Sequence, residues 1–246
     1  MILNLGVVTV NPVESVRDRG VILNSELSMR QHISKITQIC YFHLRRIRQL
    51  RWTLDTLKLQ RLVSAFILSR IDYCNAVLGS LLASTTASLQ RVLKIAARLV
   101  VGHSTGNDAM RKLHWLPISH RILFKLCLFM FAVVNNTSPV YITEMTTPIS
   151  ALPGRGRLRS AATDMYDIAH TRTKFGDRAF SVAGPREWNS LPADINSIHE
   201  LTNIKRAIKT FFQVGICGLA SLLASDYLLF MSRRLWSIFG GVKGAL

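Results

Sequence analysis

Hydrophobic residues recur along most of this chain at helical spacing, behind a short extended stretch. Met29, Ile33, Ile36, Ile39/Cys40, Leu44, Ile47 and Leu50 form one 3.6-residue stripe. Ser28, with Gln31 three residues on, reads as a capping box opening that helix. Asp55 caps a second predicted helix, running through Leu62, Val63, Phe66, Ile67, Tyr73, Cys74 and Val77 to Gly79. A third starts at Thr85 or Thr86, buries Leu89, Val92, Leu93, Ala96 and Leu99/Val100, and ends at Gly102. A fourth opens at Pro117, spans residues 118–134 and stops at Asn135 and Asn136. It is apolar nearly all round, yet interrupted by Lys125 and short for a membrane span, so it reads as a core helix.

Ahead of the helices, residues 5–10 and 19–23 are β-branched runs around a Pro-containing turn, expected to pair as a hairpin. Residues 146–174 lose periodicity around Pro148, Pro153, Gly154 and Gly156. Short helices are predicted at 174–182 and 185–190. A longer one covers 200–212, with Leu201, Ile204, Ile208 and Phe211/Phe212 as its apolar face. The expected fold is mainly α: a helical bundle with a small N-terminal β-hairpin and a loop-rich C-terminal part of short helices. Its divisions are 1–27 (β segment), 28–145 (helical domain), 146–212 (loop and short helices) and 213–246 (hydrophobic tail).

Charge sharpens this picture. The 246 residues carry 31 Lys+Arg against 14 Asp+Glu, a formal net charge of +17, and 49% are hydrophobic. That balance points to a polyanionic partner, a nucleic acid or an anionic membrane surface. Three basic groups are the candidate phosphate contacts. Arg45, Arg46, Arg48 and Arg51 occupy the polar side of the first helix and its end. Arg91, Lys94 and Arg98 share one face of the third helix. Arg155, Arg157 and Arg159 sit in the aperiodic loop. The plainer reading of each group is a solvated face.

Candidate chemistry is thin. Asp164, Asp167, Asp177 and Glu187 read as surface acids rather than a two-metal pair. Cys40 and His43 are the only close Cys/His pair, and no second pair completes a zinc site. His114 reads as a packing residue. Trp115 and Trp188 read as core residues, with base stacking as the alternative. No nucleophile-elbow, phosphate-loop or dinucleotide motif is expected in the chain. The chain is therefore expected to act on no small molecule, and to use no cofactor and no metal. Cys40, Cys74, Cys127 and Cys217 are widely spaced and read as buried, reduced thiols. The first residues lack a basic segment. Both features suggest an intracellular protein, cytoplasmic or nuclear, and not a secreted one.

Ordered blocks along the chain resemble one family. They are residues 16–23 (Val-Arg-Asp-Arg-Gly-Val-Ile-Leu), 32–35 (His-Ile-Ser-Lys), 66–76 (including Ser-Arg-Ile-Asp-Tyr-Cys-Asn-Ala), and 89–92 with 96–98. Next come 113–117 (Leu-His-Trp-Leu-Pro), 138–141 (Ser-Pro-Val-Tyr), 175–181 (Phe-Gly-Asp-Arg-Ala-Phe-Ser) and 184–192 (Gly-Pro-Arg-Glu-Trp-Asn-Ser-Leu-Pro). Together, over residues 13–212, the set resembles the C-terminal part of the reverse transcriptase of jockey-like non-LTR (LINE-type) retrotransposons. The resemblance implies a polymerase thumb and post-thumb region, truncated, whose helices grip an RNA or RNA–DNA duplex through phosphates. It also departs from the family. Arg19 and Asn24 stand where an apolar residue and an acid are usual. Trp52, Lys94 and residues 102–110 are atypical.

The chain has no Asp-Asp pair. The resemblance therefore implies a remnant that touches nucleic acid without copying it. The alternative is a nonfunctional relic, poorly folded or membrane-associated through its tail. Residues 214–231 are mostly apolar but contain Asp226, which costs about 3 kcal/mol in mid-membrane. A packed or loose hydrophobic extension is favoured over a span there.

Overall fold

The structure, a computed structural model, describes residues 3–5, 8–10, 13–102, 104–152 and 165–216. The chain forms two compact units, Met1–Ser197 and Ile198–Leu246. The first is mainly helical, with small antiparallel β elements at its N-terminus.

Those β elements differ from the expected single hairpin. Strands β1 (Leu3–Leu5) and β2 (Val8–Val10) pair with each other, Leu5 opposite Val8. Strands β3 (Ser15–Asp18) and β4 (Val21–Asn24) form a second hairpin, Asp18 opposite Val21. Residues 5–10 thus fall on two strands rather than one, and Arg19 and Gly20 are a turn rather than strand. Both have positive φ, 43° and 88°, the geometry of a tight turn whose twist matches that of the strands. This turn is latched from outside: the Tyr73 hydroxyl donates to the Arg19 carbonyl at 2.6 Å. Its ring lies 3.4 Å from where a Cβ on Gly20 would stand.

Helix α1 (Arg30–Gln49) follows, but no capping box opens it. The N-cap is Met29 at φ 60°, without a side-chain cap. Ser28 turns back instead, its N–H donating to Asn24 Oδ1 at 2.9 Å. Asn24 supplies there an acceptor that an acid at this position would also supply. Met29, Ile33, Cys40, Leu44 and Ile47 are buried as expected, whereas Leu50 is exposed.

Helix α2 (Thr56–Val63) is capped by Asp55, whose carboxylate accepts the Lys58 N–H at 2.7 Å. It widens into a π-turn, Ser64–Leu68, and ends as α3 (Ser69–Asp72). The helix therefore stops well short of Gly79. Cys74 at φ 50° breaks it, and a 3-10 turn, Asn75–Leu78, follows. The wide turn also resets the buried stripe. Val63, Ile67 and Ile71, four residues apart, all face the core, while Phe66, Tyr73 and Val77 face solvent. Cys74 is exposed, against expectation; Cys40 and Cys127 are buried, and Cys217 lies outside the described residues.

Helix α4 (Ala83–Val101) buries the expected Leu89, Val92, Leu93, Ala96, Leu99 and Val100 and ends at Gly102, φ 93°. It runs parallel to α1. The Thr37 hydroxyl meets Ser88 Oγ at 3.5 Å midway, and the Arg51 guanidinium lies 2.8 Å from a Cβ position on Gly102 at the far end. An unexpected helix, α5 (Gly106–Lys112), follows, capped by Thr105. Gly106 is small because the Lys94 stem passes 2.9 Å from its would-be Cβ.

Helix α6 (Ile118–Val134) has the expected bounds and an interior of Ile118, Ile122, Leu126, Cys127, Met130 and Phe131. Burial pushes the Cys127 thiol up to about 12 and the Cys40 thiol up to about 11, so both are inert at neutral pH.

Beyond α7 (Val140–Thr143), Pro148 and Tyr166 form an isolated bridge. In place of two short helices there are a 3-10 turn, Gly176–Arg178, and one α-helix, α8 (Phe180–Asn189), which continues through Pro185. Gly184 lets α8 approach α6, since a Cβ there would meet Met130 Sδ at 3.0 Å. A short α9 (Ala193–Asn196) closes this unit. In the second unit, α10 (Leu201–Ile216) buries Ile204, Ala207, Ile208 and Phe212, and leaves Leu201 exposed. Among the described residues no helix is long and apolar enough to cross a membrane. Of the stretch 214–231, residues 217 onward lie outside the described part.

His32 joins the second hairpin to α1. It is 3% exposed, and its Nδ1 accepts the Ile22 N–H at 3.3 Å. Burial holds the ring below its ordinary 6.5, so it is neutral and a competent acceptor at pH 7. Below pH 6.5 the unfolded chain takes up a proton that the folded chain resists. Stability therefore falls as pH drops from that value through the lowered folded pKa, and this contribution levels off below it. Urea midpoints measured across this window should decline less in His32→Gln than in the wild type. Equal declines would assign the effect to His43 and His120, which burial also shifts downward.

Candidate nucleic-acid interface

The parallel run of α1 and α4 sets their C-terminal turns side by side. Arg45, Arg46, Arg48 and Arg98 are exposed on these helices, and Arg51 reaches across to Gly102. One member of the second sequence-predicted group, Arg98, thus joins the first group at one end of the bundle. Among the described residues none of these five arginines has a carboxylate partner. Arg46 lies 5.5 Å from the Phe42 ring centroid, and Arg51 lies 5.9 Å from that of Trp52. A helix C-terminus carries partial negative charge, so cations there also stabilise the helices themselves. The nearby acid Asp55 is already engaged, with Lys58 Nζ at 3.5 Å.

Arg91 and Lys94 lie elsewhere. They border an open cleft of about 760 Å³ between α4 and the start of α6, with Gln90, Asn107, Ser119 and Glu187 on its walls. The cleft is of mixed charge. Glu187 is only half-exposed, unlike the surface acid expected, and burial raises its carboxyl pKa, with Arg186 opposing. The remaining candidates, Arg155, Arg157 and Arg159, lie outside the described residues, as does Asp164.

The blocks that carry the family resemblance are mostly joints between elements. Asp72 of residues 66–76 binds Arg121, which follows residues 113–117: Arg121 Nη1 to Asp72 Oδ2 is 2.5 Å. Arg121 Nε also donates to the Leu116 carbonyl at 3.0 Å. Gln90 Oε1 accepts the Ile118 N–H at 2.9 Å and so caps α6. Arg178 Nη1 donates to the Leu27 carbonyl at 2.7 Å, tying residues 175–181 to the loop before α1. Asn189 behaves like a strand, accepting from Tyr166 N at 3.1 Å and donating to its carbonyl at 2.7 Å. Trp188 is wholly buried and Trp115 is 9% exposed, so both are core residues. Among the described tryptophans Trp52, 90% exposed, is the one available for stacking, and only its departure from the family pattern marked it.

Asp177 accepts from the Thr171 hydroxyl and has Arg186 Nη2 at 3.5 Å; these hold its carboxyl below the usual range. Cys40 and His43 do not form a ligand pair, because Cys40 is enclosed while the His43 ring stacks on Phe66. Among the described residues no three His, Cys, Asp or Glu side chains gather closely enough to hold a metal ion.

The expected absence of a nucleophile-elbow spacing is wrong, because the sequence contains one. Residues 102–106, Gly-His-Ser-Thr-Gly, have the G-x-S-x-G spacing of a nucleophile elbow. That chemistry needs a strand leading into a helix. Here helix α4 leads in, Ser104 N bonds back to the Gly102 carbonyl at 2.9 Å, and Thr105 caps α5. Ser104 Oγ is buried without a hydrogen-bond partner among the described residues, not raised toward a substrate. The spacing belongs to a helix–helix turn.

No protein family, curated protein or solved structure matches the chain.

Proposed function

We propose that this chain is a thumb-like segment of a non-LTR reverse transcriptase that binds RNA or an RNA–DNA duplex through phosphates. It copies nothing itself. The observation that carries the reading is the cluster of Arg45, Arg46, Arg48, Arg51 and Arg98 at one end of the paired helices, with no carboxylate partner among the described residues. Exposed guanidiniums on rigid helices suit phosphate contacts, which position a duplex without reading its sequence. The net charge of +17 supplies the long-range attraction. The ordered sequence blocks support the family origin. Arg91 and Lys94 are secondary contacts, because Glu187 shares their cleft.

The test is binding of the purified chain to an RNA–DNA duplex across a salt series. A phosphate-gripping module loses affinity linearly on a log–log scale, with a slope of about −0.9 per phosphate neutralised. Absence of binding by the folded monomer would leave the alternative, a remnant without activity.

A further inference from the structure

One turn of α1 and the π-turn together expose an aromatic cluster edged with positive charge. The rings of His43 and Phe66 stack, centroids 5.2 Å apart and planes inclined by 26°. Phe42 meets His43 edge-on at 5.4 Å and 76°. Arg46 sits over the Phe42 ring, and Arg70, just past the π-turn, is close enough to act electrostatically on His43. Phe42 is 56% exposed and Phe66 42%.

Two phenylalanines held open to water are unfavourable unless something covers them. The backbone beneath them is also unusual. Single π-turns inside helices are rare and recur at functional sites. Here the wider turn keeps Val63, Ile67 and Ile71 inside while Phe66 points out onto His43. Neither Arg46 nor Arg70 has a carboxylate partner among the described residues, and the nearest acid in sequence, Asp72, is taken by Arg121.

We propose that Phe42, His43 and Phe66, edged by Arg46 and Arg70, form a stacking platform for unpaired nucleobases of single-stranded RNA or DNA. The proposal rests on the nucleic-acid reading above and adds a single-strand preference to it. Base faces are hidden within a duplex, so only an unpaired strand can stack on these rings. The two guanidiniums then meet the flanking phosphates. Rings packed face to face with cations at their rim fit a base and its phosphate. A lipid headgroup would use only the charges.

The experiment compares the full chain with Phe42→Ala/Phe66→Ala and with Phe42→Leu/Phe66→Leu, which keeps apolar bulk and removes the rings. Fluorescence anisotropy reads binding to an oligo-deoxythymidine strand and to a blunt RNA–DNA duplex. Phosphatidylserine vesicles are the third target. Both variants should lose about tenfold or more on the single strand, in line with base–aromatic stacking, and retain duplex affinity. Equal losses on strand and duplex, or no loss on either, would overturn the platform while leaving the phosphate reading in place. Vesicle binding lost with single-strand binding intact would overturn it in favour of a membrane contact. A wild-type chain that binds neither nucleic acid would remove the phosphate reading itself, and the platform with it.

Discussion

Replacing Arg45, Arg46, Arg48 and Arg51 together by glutamine should cut affinity for an RNA–DNA duplex on the order of a thousandfold at low salt, and flatten the salt dependence. Each phosphate contact contributes a slope of about 0.9, so losing four reduces it by about 3.6. Glutamine preserves length and polarity, which isolates the charge. The helix itself should survive. Arg46 and Arg48 lie in the last turn of α1, where each cation contributes roughly 0.3–1 kcal/mol through the helix dipole. Arg51, beside Gly102, does the same for α4. A slightly lowered melting temperature with near-abolished binding is therefore the expected pair of results. A lowered melting temperature with unchanged binding would show that these arginines serve only the helix ends and the solvent.

The largest stability effect should come from Trp188→Ala, with a loss of about 3–5 kcal/mol in denaturant unfolding. The side chain is 0% exposed, on a helix whose other attachments are specific. Gly184 rests against Met130, Phe180 meets Phe129 edge-on at 6.1 Å, and Asn189 pairs with the Tyr166 backbone. Truncating the indole leaves a cavity that these fixed contacts prevent from collapsing. A loss of that size is a large part of the 5–15 kcal/mol typical of a domain. Trp188→Phe should recover part of it. A loss below about 1 kcal/mol would mean that Trp188 is not core and would return it to the stacking role considered from sequence.

The burial of Trp188 shows how local sequence and long-range packing divide the information. A tryptophan between polar and proline residues is consistent with either a core or a binding surface. Nothing within a few residues of it says which helix it will face. By contrast, α4 was legible in bounds and in buried face, and α6 in bounds. The apolar stripe of α4 has a period that is a property of the helix alone, and Gly102 and Pro117 mark helix ends. The first helix was legible for the same reason, but its start was not. The Ser28/Gln31 pattern satisfied a local rule, while Asn24, from the preceding strand, captured Ser28 first.

The misassigned face of the second helix has the same physical origin. Periodicity assumes a constant turn, and the π-turn at Ser64–Leu68 changes it, carrying Phe66 outward and Ile71 inward. The aromatic cluster was therefore out of reach of any count of spacings. The basic side chains were legible as groups, because charge on a helix face needs no partner to be recognised. Their assembly was not. That α1 and α4 lie parallel, joining Arg98 to the α1 arginines and leaving Arg91 and Lys94 beside Glu187, depends on contacts between residues more than fifty positions apart.

The sequence by itself determined the mainly helical class, the main stripes of the core and the excess of positive charge, since each is set by composition or by a period of a few residues. Only the tertiary structure decided the double hairpin, the place of His32 and Tyr73 against it, and which basic groups share a surface. Those depend on hydrogen bonds and packing between distant segments, which no local pattern encodes.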